Sequence, residues 1–230
     1  MERSRPDRTS SIHLPMITVF PNVFKTTEPS LITINQFVDL IKTGGKHKDT
    51  ILNIRTLSKE SRNDLKKQLP QFCLGGEFTE RNIKSIVKHS GYIPLDFDGL
   101  SKADTIALSP YIYMAWDSTS GDGSRAIVRV PPITDKINST HAKYFAALKV
   151  HFNTPFWDDA LKSCVAGAYM SYDPNIYINE DAPVWDTLPE KQSFNSVISS
   201  RQKFEYAQKW ITSHGDSFTK GSRNPFIFKL

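Results

Sequence analysis

The sequence predicts an α+β domain with a mostly antiparallel or mixed sheet, and three observations predict it. Short apolar, β-branched and aromatic runs alternate with segments of helical spacing. A strand–loop–strand pair sits in the middle, over residues 111–130. No self-similarity at a solenoid period interrupts the pattern.

The elements follow in order. Residues 1–15 are basic, lack the apolar stretch of a secretory signal, and read as a disordered lead-in. Residues 16–24 read as a strand, with Pro21-Asn22 as a point of interruption. Thr33 caps a helix running to residue 42, in which Ile34, Phe37, Val38 and Ile41 fall at helical spacing; Gly44-Gly45 stops it. The GGKHK run lacks the GxxxxGK spacing of a phosphate loop, so it reads as that helix stop. Residues 48–68 are charged and contain a surface helix, and residues 72–78 form a short strand broken at Gly75-Gly76. A buried strand enters from Ser90-Gly91 over residues 92–95 and runs into Asp96-Phe97-Asp98-Gly99. Residues 101–108 form a short helix closed before Pro110. Residues 111–116 and 125–130 are two strands around a small-residue loop, the second stopped by Pro131-Pro132. Ser139 or Thr140 caps a helix with Tyr144, Phe145, Leu148 and Phe152 as its core stripe. Residues 165–170 form a small-residue strand, and Ile176-Tyr177-Ile178 follow in an extended loop. A linker covers residues 180–195 and a last amphipathic helix residues 197–213. In domain terms, residues 16–190 form one core and residues 191–230 a helical extension.

Composition narrows the function classes. The net charge of +5 and pI of about 9.1 allow a polyanionic partner without requiring one. Two distant cysteines with no CxxC pair argue against a zinc ribbon and for an intracellular, cytoplasmic chain. No apolar run approaches the roughly 20 residues of a membrane span, so no membrane partner is expected. The six histidines show no HExxH spacing, and GxSxG is absent, which removes support for zincin or serine-hydrolase chemistry.

Three features carry the chemistry. Strand alternation puts Asp96 and Asp98 on one face, about 7 Å apart along the chain, where they repel unless a cation lies between them. Hard divalent cations take carboxylate oxygens. The loop from Ser118 through Ser120, Gly121 and Gly123 combines hydroxyls with glycines whose backbone can approach a phosphate, and Arg125 follows. Arg125 can grip a phosphate with two bonds. Asp173 ends a small-residue strand before a proline. If Asp96, Asp98 and Asp173 converge, they hold one or two divalent ions beside a triphosphate. Two ions about 4 Å apart are a usual device for nucleotidyl transfer. Taken singly, each feature also reads as an ordinary turn. Trp157, Tyr172 and Tyr177 are candidates for stacking bases, Tyr172 first because Asp173 follows it.

On these motifs the sequence resembles the archaeo-eukaryotic primase superfamily, in its primase–polymerase branch from plasmids, phages and CRISPR loci. It is most similar to proteins with a VirE-type amino-terminal domain. LDFDG resembles the metal motif, STSGDGSR the nucleotide motif and MSYDPNIYIN the third acidic motif, in the same order, within a resemblance covering residues 16–185. The resemblance implies an RRM-like catalytic core using Mg²⁺ or Mn²⁺ in a two-metal site. Asp96, Asp98 and Asp173 would then be metal ligands, and Ser118, Ser120, Gly121, Gly123 and Arg125 would bind the nucleotide. Implied partners are nucleoside triphosphates, a single-stranded or primed DNA template, and a C-terminal helical or helicase module beyond the FTKGSRNPFIFKL tail. The chain departs from the pattern at Arg125, where many members carry His or Lys. It departs again at Cys164-Val165-Ala166-Gly167, where relatives often carry a basic residue. The rival readings are a metal-dependent nuclease and a non-catalytic nucleic-acid-binding module on the same fold.

Overall fold

The computed structural model describes residues 15–188. The expected lead-in, the helix at 197–213, the extension and the tail lie outside the described residues. Strand β1 (Met16–Phe20) stops earlier than expected because the Asn22 side chain accepts from the Phe24 and Lys25 N–H groups and folds the chain into a turn. Strand β2 (Ser30–Thr33), which the sequence reading missed, pairs antiparallel with β1. It leads into helix α1 (Ile34–Thr43) through a capping box: Thr33 Oγ1 accepts from the Gln36 N–H, and the Gln36 side chain accepts from the Thr33 N–H. Gly44, in the left-handed region, ends α1 as expected.

The charged stretch forms two helices, α2 (Lys48–Thr56) and α3 (Lys59–Lys66). Leu57 is extended between them, and Ser58 caps the second by accepting from the Ser61 N–H. Strands β3 (Gln71–Cys73), β4 (Gly76–Phe78) and β5 (Ile86–His89) follow, with the break at Gly75-Gly76 in its expected place. Then come β6 (Tyr92–Phe97), α4 (Lys102–Ala107), β7 (Ile112–Asp117) and β8 (Ser124–Arg129). Helix α5 (Ile137–Phe152) begins before Ser139 and Thr140. Their hydroxyls donate back to the Lys136 and Asp135 carbonyls instead of capping. Strands β9 (Trp157–Asp158), β10 (Ala168–Tyr169) and β11 (Tyr177–Ile178) are short. The expected strand over 165–170 shrinks to β10 because the Ala166 N–H turns back to the Ser163 carbonyl.

The architecture is α+β, and every strand pairing described is antiparallel. One sheet runs β10-β3-β1-β2, a second runs β11-β7-β8-β6-β9, and β4 pairs with β5. A single apolar core joins the two larger sheets. Phe37 of α1 lies edge-on to Phe72 of β3 at 5.1 Å and to Trp116 of β7 at 5.3 Å. On the opposite face, Phe97 packs against Phe152 of α5 and Trp157 of β9. The face holding Trp116 and its register partner Arg125 therefore looks toward α1 and the first sheet.

A smaller cluster holds Phe20, Cys73, Phe78 and Cys164. Burial pushes the Cys73 thiol up to about 12 and the Cys164 thiol up to about 11. Nearby, His89 and His141 are buried and bonded to each other, Nε2 to Nδ1, at 2.9 Å. The Gly91 N–H donates to His89 Nδ1, so neutral His89 carries its proton on Nε2 and donates it to His141. Among the described residues no helix is long and apolar enough to cross a membrane.

Candidate functional site

Strand β6 lies between β8 and β9, and its last residues form the floor of the site. Asp96 stands opposite Arg125 on one side and Asp158 on the other. Arg125 is 8% exposed and Asp96 also 8%. The Arg125 Nε donates to Asp96 Oδ2 at 3.3 Å. Its Nη1 donates to the Tyr169 carbonyl at 2.9 Å and to Thr119 Oγ1 at 3.3 Å. Arg125 thus ties β6, β8, β10 and the β7–β8 loop together. Asp98 follows β6 and is exposed. Its carboxyl is pushed above the usual range by lost hydration, then by the carboxylates of Asp96 and Asp158; Lys59 and Arg125 pull the other way.

The β7–β8 loop closes directly on this floor. A Cβ at Gly123 would lie 2.3 Å from the Phe97 carbonyl oxygen, 3.0 Å from the Gly99 nitrogen and 3.3 Å from the Asp98 Cα. Only glycine allows so close an approach. The Ser118 N–H donates to the Gly123 carbonyl at 2.9 Å, and the Gly121 N–H to the Ser118 carbonyl at 3.0 Å. Ser118 and Ser120 are buried with their hydroxyls 3.4 Å apart. Thr119 is pinned through its hydroxyl to the Met170 carbonyl at 3.0 Å.

Two helices bring cations to the outer side of the loop. The Arg55 side chain lies against Gly121, and its Nη2 donates to the Tyr172 carbonyl at 2.7 Å and the Ser118 carbonyl at 3.2 Å. Arg62 of α3 pairs with Asp122 at the loop tip. Lys66, one helical turn further on, is half-buried. Its ammonium is pushed below the usual lysine range by burial, then by Arg62 and Arg125, against the pull of Asp122 and Asp96.

Asp173 stands elsewhere. It is 2% exposed, and its Oδ2 accepts from Lys102 Nζ at 2.6 Å and from the Asp117 N–H at 3.0 Å. Its Oδ1 accepts from the Asn175 N–H at 2.9 Å, an Asx turn. Asp173 therefore joins Asp117 on β7, while β8 lies between β7 and the strand carrying Asp96. The YDPN segment pins β7, α4 and the chain before β11 to one another. Its carboxylate and that of Asp117 are served by Lys102; Asp117 itself is pushed upward by burial and by Asp173.

The structure thus brings together Asp96, Asp98, Ser118, Ser120, Gly121, Gly123 and Arg125, and it does not bring Asp173 to the Asp96–Asp98 pair. The acidic residue missed in the sequence is Asp158 of β9, the register partner of Asp96 on β6. A signal was present: Phe156-Trp157-Asp158-Asp159 runs apolar residues into carboxylates as Leu95-Asp96-Phe97-Asp98 does. Among the candidate stacking residues, Trp157 packs between Phe97 and Phe145. Tyr172 is half-buried under Lys48, whose Nζ sits 4.9 Å from the ring centroid.

The carboxylates of Asp96, Asp98 and Asp158 suit a hard divalent ion in donor chemistry and in the excess negative charge they impose on Asp98. They do not form a closed cage: among the described residues, no three His, Cys, Asp or Glu side chains stand together as a metal-holding group.

No curated protein and no solved structure matches this chain. A family model does, over residues 64–178, half of the chain, from α3 through β11 and so across every strand of the site. The chain belongs to the BT4734-like, N-terminal domain family.

Proposed function

We propose that this domain is a template-dependent nucleotidyltransferase of the primase–polymerase type, built on an RRM-like core. It would extend or initiate strands from nucleoside triphosphates on a single-stranded or primed DNA template. The observation that carries the reading is the closure of Gly123 on Phe97 and Asp98. It sets a hydroxyl-rich loop against two carboxylates, with a buried arginine between them.

Asp96 and Asp98, with Asp158 beside them, are the residues that would hold Mg²⁺ or Mn²⁺. The bound ion would supply neutralising charge to the phosphates and to the attacking hydroxyl. Asp98 is the exposed member and the one whose ionised form its neighbours disfavour, so it gains most from a cation. Arg125 fixes Asp96 in place and holds positive charge at the base of the loop. Ser118, Ser120, Gly121 and Gly123 shape the wall against which a triphosphate would lie. Asp173 acts at one remove, by holding Asp117 and the β7 end of the loop.

Incorporation of labelled ribo- and deoxyribonucleotides tests this reading, with and without primer and with Mg²⁺, Mn²⁺ or chelator. Incorporation that needs the metal and is lost in Asp98→Ala supports it. Incorporation of neither sugar under any of these conditions overturns it. One observation favours a second reading, a non-catalytic nucleic-acid-binding module: Asp96 is already satisfied by Arg125, and no closed metal-holding group stands among the described residues. That reading expects oligonucleotide binding that chelator does not change.

A further inference from the structure

Helix α3 presents Lys59, Arg62 and Lys66 at i, i+3 and i+7, within one narrow stripe. Nothing in the motif set pointed to it. The stripe faces the site: Arg62 pairs with Asp122 at the loop tip. Lys66 stands within electrostatic reach of Arg62, Arg125, Asp122 and Asp96, and Lys59 within reach of Asp98. Arg62 is only 11% exposed in its side chain, and its Nε is buried with no hydrogen-bond partner. A buried guanidinium N–H without an acceptor is costly, so the position favours an incoming oxygen. Burial, then the like charges of Arg62 and Arg125, disfavours the Lys66 ammonium, while Asp122 and Asp96 pull the other way.

We propose that Arg62 and Lys66 of helix α3, with Arg125, form a cationic cradle for the polyphosphate of a nucleoside triphosphate, and that Asp122 competes with this ligand for Arg62. The inference rests on the nucleotidyltransferase reading for the identity of the ligand. A compact group around one loop tip fits a short polyphosphate better than the spaced phosphates of a strand. Arginine suits the forked contact, and lysine adds a point charge. Asp122 sets the threshold. Its carboxylate holds Arg62 near the loop, and a polyphosphate with more negative charge displaces it.

The test measures binding of a fluorescent nucleoside triphosphate to the full chain, with inorganic tripolyphosphate as competitor and a labelled single-stranded oligonucleotide as a second probe. Arg62→Ala and Lys66→Ala should each weaken triphosphate and tripolyphosphate binding about tenfold, as expected for one lost charge-assisted bond. Arg62→Lys should recover part of the loss, and Asp122→Asn should tighten binding several-fold. Lys66→Met keeps the buried stem and guards against a fold effect, with thermal melting as the check. Unchanged triphosphate binding in Arg62→Ala and Lys66→Met overturns the cradle, even if the protein incorporates nucleotides. Loss of oligonucleotide binding alone also overturns it, since the stripe would then hold a strand. A protein that incorporates nothing but binds tripolyphosphate through these residues keeps the cradle and loses the nucleotidyltransferase reading.

Discussion

At the scale of single residues, the site is a set of charges whose partners differ in quality. Asp98 loses part of its hydration and is then crowded by Asp96 and Asp158, so its charge is a liability to the fold. Its folded pKa is raised, so the unfolded state binds fewer protons in that window, and stability falls as pH rises through it. Asp98→Ala should therefore melt no lower than the parent in chelator while losing metal-dependent incorporation; a clear drop in melting temperature would count against this account. Arg125 is the opposite case. It and Asp96 are both buried, and removing one partner leaves the other uncompensated. Arg125→Ala should cost about 3 kcal/mol, the usual scale for breaking a buried pair. Denaturant melts should show that Asp96→Ala in the same background restores part of it. At tolerated stability, loss of Arg125 should also weaken triphosphate binding roughly 10- to 100-fold, with Arg125→Lys intermediate.

At the scale of elements, the β7–β8 loop depends on one backbone approach. Gly123→Ala would force a methyl into the Phe97 carbonyl, a backbone atom that cannot swing aside. We expect a loss of about 2 kcal/mol or more, together with loss of incorporation. Gly121→Ala is the useful contrast, since its Cβ meets only the flexible Arg55 stem, though a positive φ still penalises it. The sequence displayed the elements where local chemistry decides them. Thr33 marked a helix start, Gly44 its stop, and Tyr92 to Leu95 a strand entering from a turn and running into carboxylates, which the structure extends to Phe97. It failed where partners in space decide. Strand β2 opens on two exposed residues and exists because β1 lies alongside. Ser139 looked like a cap, but Lys136 took the left-handed turn first. Asp173 looked like a metal ligand alongside Asp96 and Asp98 because the ordered motifs suggested convergence; strand order puts β8 between β7, which Asp173 joins, and the strand carrying Asp96. Asp158 carried a weak local signal, but only the β6–β9 pairing, two residues long, sets it opposite Asp96.

At the scale of the molecule, the His89–His141 pair couples folding to pH. Burial lowers His89 to about 4 and His141 to about 3, against about 6.5 in an unfolded chain. Between these values the unfolded state binds more protons, so stability is full above pH 6.5 and is lost as pH falls toward 4. The slope is at most about 1.4 kcal/mol per pH unit for each ring. Urea midpoints should drop between pH 7 and pH 5, and His141→Leu should flatten that dependence; a parent curve with no slope there would refute the coupling. The two shielded thiols then acquire an unplanned use. Cys73 and Cys164 sit under β1, β4 and the chain ahead of β10, against Phe20 and Phe78, so a thiol reagent reaches them when that end of the molecule opens. With a disulfide reagent that stays reactive in acid, the labelling rate becomes a clock for excursions from the native state, built into the unmodified chain. The clock should run faster as the histidines charge, and it should slow again if tripolyphosphate clamps the β7–β8 loop.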